Sequence, residues 1–169
     1  IHAQSSNLGK AKVTAMAERI YDINPDCKVD CIEDHLALDN IQQLINVEFD
    51  FVIDCVDQFR IKAGLIHYCR RHKINCLTVG GAGGRVDPGR IQIADMTRSE
   101  GDALLAKTRK LLRTHYDFPK NLKRRFDIPC VFSIETLRYP TRDNGITTDK
   151  SDSASTVSYT HLTLPTIVR

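Results

Sequence analysis

Apolar and polar positions along the chain follow two different periods. Val13, Met16, Ala17 and Ile20 recur at helical spacing and predict a helix over 10–23, ended by Asn24-Pro25. Cys27, Val29 and Cys31 alternate with Lys28 and Asp30, the pattern of a short strand. Asp39 with Gln42 resembles a capping box, and Ile41, Leu44 and Ile45 share one side, so a second helix follows. The β-branched run Asp50 to Val56 (DFVIDCV) reads as a strand buried on both faces of a parallel sheet. Ile61, Leu65, Tyr68 and Cys69 mark a helix over about 58–72, and 75–79 is a strand stopped by the glycine cluster at 80–84. Ile91 and Ile93 predict a strand near 90–95. Leu104, Leu105, Thr108, Leu111 and Leu112 predict a helix over 101–116, and PCVFSIETL at 129–137 returns to strand character.

Strands alternating with helices predict an α/β fold: a Rossmann-like, doubly wound, mostly parallel sheet. Ligands in such sheets sit beyond the carboxyl ends of the strands, which singles out Asp54 to Asp57 and the glycines at 80–84.

The chain has 169 residues, enough for one domain with a real core, and a net charge of +3 that by itself identifies no nucleic-acid binder. Its six cysteines form no C-x-x-C pair, which argues against a zinc ribbon or a thioredoxin-type site and for a reducing, cytoplasmic setting. No apolar run approaches the length of a membrane span. From about residue 149 the composition turns to Ser, Thr and Asp, and the string from Val157 to Arg169 resembles translated sequencing-adapter tails. Residues 149–169 are therefore expected to be a disordered or artefactual tail, and 1–148 the domain proper.

Five groups of residues could carry chemistry. Asp54 and Asp57 stand three apart where a strand gives way to a helix. Asp57 can hold a magnesium ion bound to nucleotide phosphates, or simply cap the helix. Lys10 and Lys12 open a helix, where the macrodipole disfavours a cation unless an anion binds there too. Solvated surface charge is the simpler account. Gly80, Gly81, Gly83 and Gly84 fit no phosphate-loop fingerprint and suit a tight turn lining a pocket better than a phosphate cradle. Cys130 opens a strand after a proline, a place for partial exposure, with Arg124 and Arg125 near enough in sequence to lower its thiol pKa. The competing reading is a small buried hydrophobe. Lys107, Arg109, Lys110, Arg113, Lys120, Lys123, Arg124 and Arg125 are opposed within 103–126 only by Asp117. With Tyr116, Phe118 and Phe126 interleaved, this stretch could follow an RNA backbone or form a solvated helix face.

The strings Asn7 to Val13 (NLGKAKV), Ile23-Asn24-Pro25 and Asp54 to Asp57 (DCVD) resemble the adenylating domain of ubiquitin-activating-like, ThiF-type enzymes. Val79 to Pro88 (VGGAGGRVDP), Ile91 to Asp95 (IQIAD) and Asp127 to Glu135 (DIPCVFSIE) narrow the likeness. They are similar to the tRNA threonylcarbamoyladenosine dehydratases over residues 1 to about 142.

That resemblance implies ATP-dependent activation of the threonyl carboxylate of N6-threonylcarbamoyladenosine in tRNA, followed by closure to a cyclic, oxazolone-type ring. It implies ATP and magnesium as cofactors, Lys12 as the lysine on the ATP phosphates and Asp57 as the acid on magnesium–ATP. Cys130 matches a family cysteine and is the catalytic candidate for a thioester step, although direct ring closure from the acyl-adenylate is chemically sufficient. It also implies tRNA as substrate, a homodimer and a sulfur-transfer partner protein. Against that pattern the glycine-rich nucleotide loop, the ribose-binding acid and the arginine finger are missing upstream of Ile1. The expected fold is thus incomplete at both ends, and the piece itself is expected to be inactive. Two alternatives remain: adenylation of a small sulfur-carrier protein's C-terminus, and a non-catalytic Rossmann-like RNA-binding module.

Overall fold

The computed structural model describes residues 5–141 and 146–148. A single 3-10 turn, Ser5–Asn7, precedes helix α1 (Lys12–Ile23). The short helix α2 (Ile41–Leu44), strand β1 (Phe51–Asp54), helix α3 (Phe59–Arg71) and strand β2 (Asn75–Val79) follow. A 3-10 turn at Pro88–Arg90 leads into β3 (Ile91–Asp95), another at Met96–Arg98 into helix α4 (Ala103–His115), and β4 (Pro129–Ser133) follows. Two-residue strands β5 (Tyr139–Pro140) and β6 (Ile146–Thr147) form a separate small ladder.

The main sheet has the order β1-β2-β4-β3. β1, β2 and β4 run parallel, and β3 joins β4 antiparallel as an edge. The mostly parallel α/β sheet expected from the alternation of elements is therefore the observed one. Pro129 occupies the first position of β4, where its missing N–H interrupts the ladder least. One face of the sheet carries Val52, Cys76, Cys130 and Phe132 into a core closed by Ala63, Leu65, Ile66 and Cys69 of α3 and by Leu105 and Leu112 of α4. Phe118, Phe126 and Ile128 from the segment before β4 complete it.

Three local expectations are corrected. β1 is buried on one face only, because no described element covers the other: Phe51 is 49% and Ile53 58% exposed, and Ile93 on β3 is 72% exposed. The alternating stretch 27–31 forms no strand and pairs with no described strand. Alternation supplies a strand's side-chain pattern, yet the ladder needs a neighbour. The capping box at Asp39 and Gln42 does not form. Asn40 is the N-cap of α2, and its side chain turns back instead, accepting from the Ala37 amide at 2.7 Å and donating to the His35 carbonyl at 2.8 Å. The expected tail at 149–169 lies outside the described residues.

Candidate functional site

β1 and β2 end side by side, with Asp54 in register with Thr78, so both chains leave the sheet at one rim. Beneath that rim lies a buried charge. Lys62, in the first turn of α3, has no exposed surface, and neither has the Asp54 side chain it pairs with at 2.8 Å. The Lys62 ammonium also donates to Thr78 Oγ1 at 2.9 Å, to the Val79 carbonyl at 3.0 Å and to the Asp54 carbonyl at 3.3 Å. Thr78 Oγ1 in turn donates to Asp54 Oδ2 at 2.7 Å, and Asp54 Oδ1 accepts the Val56 amide at 3.0 Å. An ion pair this deep is tolerated only when its remaining protons and lone pairs are satisfied, and here they are.

Sequence reasoning missed Lys62. A signal existed: it stands three, four and seven positions before Leu65, Ile66 and Cys69, on the stripe that α3 buries. The carboxylates Asp54 and Asp57, read as a pair, are separated by the structure. Asp54 turns inward, while Asp57 is exposed on the loop between β1 and α3. Asp57 is not the helix cap; Gln58 occupies that position without a side-chain cap bond. An apolar cleft lined by Ile32, Leu36, Phe49 and Val56, with Asp34 at its wall, opens beside the same strand end.

Lys12 is the first residue of α1 and is exposed. Ala11 precedes it as a cap that offers no side-chain hydrogen bond. Its neighbour Lys10 is drawn onto Glu18 at 2.7 Å.

The glycine cluster is a turn, as its composition suggested. The Gly80 amide donates to the Val131 carbonyl at 2.8 Å, and the Gly81 amide to Asp102 Oδ2 at 2.8 Å. A Cβ on Gly80 would stand 2.4 Å from that carboxylate, and Gly84 adopts a φ of +73° with the Arg138 carbonyl against it. The two amides thus point into the protein and leave none of their N–H groups for a phosphate. Asp102 has a second duty, capping α4 through the Leu105 amide at 2.8 Å. Arg85 ties the turn down, donating to the carbonyls of Gly81, Ser133, Glu135 and Gly101.

Cys130 is fully buried, which decides between the two readings in favour of the small buried hydrophobe. β4 points it into the core, and burial pushes its thiol up to about 11, with Ser99 and Arg109 only partly offsetting that. The basic stretch also divides. Arg109 is turned inward, bonded to Ser99 Oγ and the Met96 carbonyl. Arg113 lies 5.0 Å from the centre of the Phe126 ring and donates to the Pro119 carbonyl, and Lys107 stands 6.0 Å from the Phe59 ring. Lys110, Lys120, Lys123, Arg124 and Arg125 are exposed, with Arg125 leaning toward Asp95 at 3.8 Å and Asp127 at 4.0 Å. Asp95 is the anchor of this lobe. Burial works against its charge, but the hydroxyl and amide of Thr97 and the amides of Phe126 and Asp127 prevail and hold the carboxyl below its usual range.

Among the described residues no group of three or more His, Cys, Asp or Glu could hold a metal ion, and no helix is long and apolar enough to cross a membrane. All six cysteines are free.

A mostly parallel sheet with a carboxylate loop and a glycine turn leaving adjacent strand ends defines a Rossmann-like α/β protein whose ligand rim is the carboxyl edge. The chain belongs to the ThiF family, whose family model matches residues 1–109. It is 46% identical over 146 residues to the tRNA threonylcarbamoyladenosine dehydratase of Haemophilus influenzae, covering 86% of this chain and 56% of that protein. It is 45% identical over 146 residues to that of Escherichia coli, covering 86% and 54%. A crystal structure of the E. coli enzyme, TcdA, in complex with ATP matches with a TM-score of 0.77 at 46% identity, over 83% of this chain and 58% of that one. The AMP complex matches with a TM-score of 0.77 at 45% identity, over 86% and 59%. The chain spans little more than half the length of these relatives.

Proposed function

We propose that the protein containing this chain uses ATP to cyclise N6-threonylcarbamoyladenosine in tRNA with loss of water. The observation that carries the reading is the rim itself, an exposed carboxylate on a loop braced from below, in a chain 46% identical to a protein named for that reaction.

In this reading the threonyl carboxylate attacks the α-phosphorus of ATP and pyrophosphate leaves, giving an acyl-adenylate. The carbamoyl oxygen then attacks the activated acyl carbon, AMP leaves, and one proton is lost as the ring closes. Adenylation needs positive charge where phosphate charge builds, and a carboxylate held in line with the phosphorus. Lys12 is assigned to the phosphates and Asp57 to magnesium. A magnesium ion carried on nucleotide phosphates needs only one or two protein carboxylates, and an exposed Asp57 at the strand's carboxyl end suits that role. When bound, the ion supplies charge neutralisation at the phosphates. The base is assigned to the apolar cleft beside Val56. Cys130 is given no part: a buried thiol with a raised pKa is a poor nucleophile at neutral pH, and ring closure from the acyl-adenylate requires no thioester. Lys110, Lys120, Lys123, Arg124 and Arg125 are assigned to the tRNA backbone. A homodimer and a cytoplasmic setting belong to the same proposal.

The test is the full-length protein with ATP, magnesium and tRNA carrying the open nucleoside. Nucleoside mass spectrometry should show a product one water lighter, and Lys12→Ala and Asp57→Ala should abolish it. Pyrophosphate exchange driven by a small carrier protein and not by tRNA would replace this reading with carrier adenylation. Function surviving both substitutions would leave a non-catalytic RNA-binding module.

A further inference from the structure

Buried ion pairs are weak evidence for stability, since apolar residues of like volume usually serve the core as well. What sets Lys62 apart is where its bonds end. They fall on Asp54, the last residue of β1, and on Thr78 and Val79, the last two of β2. The carboxylate that Lys62 holds reaches forward to the Val56 amide, fixing the first step of the loop that carries Asp57. The Val79 carbonyl it holds stands immediately before the Gly80 turn, which Val131 and Asp102 grip from the other side. One ammonium therefore sets the exit directions of both chains that form the rim.

We propose that Lys62 is a positioning residue for the nucleotide–metal site: through Asp54 and Thr78 it aims the loop bearing Asp57. The inference rests on the assignment of Asp57 to magnesium–ATP made above. A substitution here misplaces the carboxylate that meets the metal, and leaves the contacts ATP makes without metal as they were. Supporting shells of this kind are worth about 10–100-fold in metal affinity.

The experiment is calorimetric titration of the full-length protein with ATP, with magnesium and again with EDTA, together with melting temperatures. The variants are Lys62→Met, Thr78→Val, Thr78→Ser and Asp57→Asn. Thr78→Val removes only the hydroxyl bridge and keeps both charges, so the decision rests on it if Lys62→Met fails to fold. Thr78→Val should weaken magnesium–ATP binding about tenfold, by analogy with other outer-shell losses, while metal-free ATP binding stays within about twofold. Thr78→Ser, which keeps the hydroxyl, should restore the parent value. Equal loss with and without magnesium, or no loss in either, overturns the positioning role. If Asp57→Asn itself leaves magnesium–ATP binding unchanged, the assignment beneath the proposal fails first, and the two failures are told apart by that variant.

Discussion

Lys62 and Arg125 carry the same charge, yet the fold treats them in opposite ways. Lys62 lies under the β1–β2 rim with no exposed surface and every proton directed at a fixed acceptor. Arg125 stands with 67% of its side chain exposed on the lobe before β4, with two acids only at the outer limit of ion-pairing distance. The interior cluster spends its charge on geometry, and the lobe leaves its charge free to act at a distance. Removing a partner from the first strands a charge in low dielectric, whereas removing one from the second changes little but the field outside.

The sharpest way to break this comparison is to neutralise both regions. Lys62→Met should cost about 3–5 kcal/mol of stability in urea denaturation of the full-length protein, whereas Lys123→Gln or Arg124→Gln should stay within about 0.5 kcal/mol. Equal costs would mean that the interior pair contributes no more to stability than an exposed charge does. Next in size, exchanging Lys120, Lys123, Arg124 and Arg125 together for Gln should lower the dependence of log tRNA affinity on log salt by roughly 2–3 slope units, as each lost phosphate contact lowers it by somewhat under one. Arg113→Ala should leave that slope alone and instead cost stability through its lost ring contact.

A smaller effect concerns the acid that anchors the lobe. The folded state holds Asp95 below its ordinary value, so its ionised form favours folding. That contribution is complete above the unfolded carboxyl pKa of about 3.9 and disappears as pH falls through the lower folded value. Asp95→Asn should therefore flatten the acid limb of stability below about pH 5, read from urea midpoints. The smallest effect is expected at Cys130. Cys130→Ala should keep tRNA cyclisation within about twofold, and thiol labelling of the native protein should reach the exposed Cys31 and Cys55 well before it.

Much of the fold was legible in advance. α1, α3, α4 and β1 to β4 fall within a few residues of where periodicity set them, because helical and strand periods are local properties. The turn role of the 80–84 glycines was legible for the same reason. What could not be read was pairing and depth. The alternation at 27–31 has no described strand beside it, and the second face of β1 has no described cover. The basic stretch counted as one patch is two populations.

The sequence alone determined the order of elements, the carboxyl-edge location of Asp57 and the family likeness, all of which follow from residue type and spacing along one chain. Only the tertiary structure decided that Asp54 faces inward, that Lys62 meets it with Thr78, and that Cys130 is shut away. Those facts depend on which segments lie against one another, and burial sets the energetic meaning of a charge or a thiol far more than its identity does.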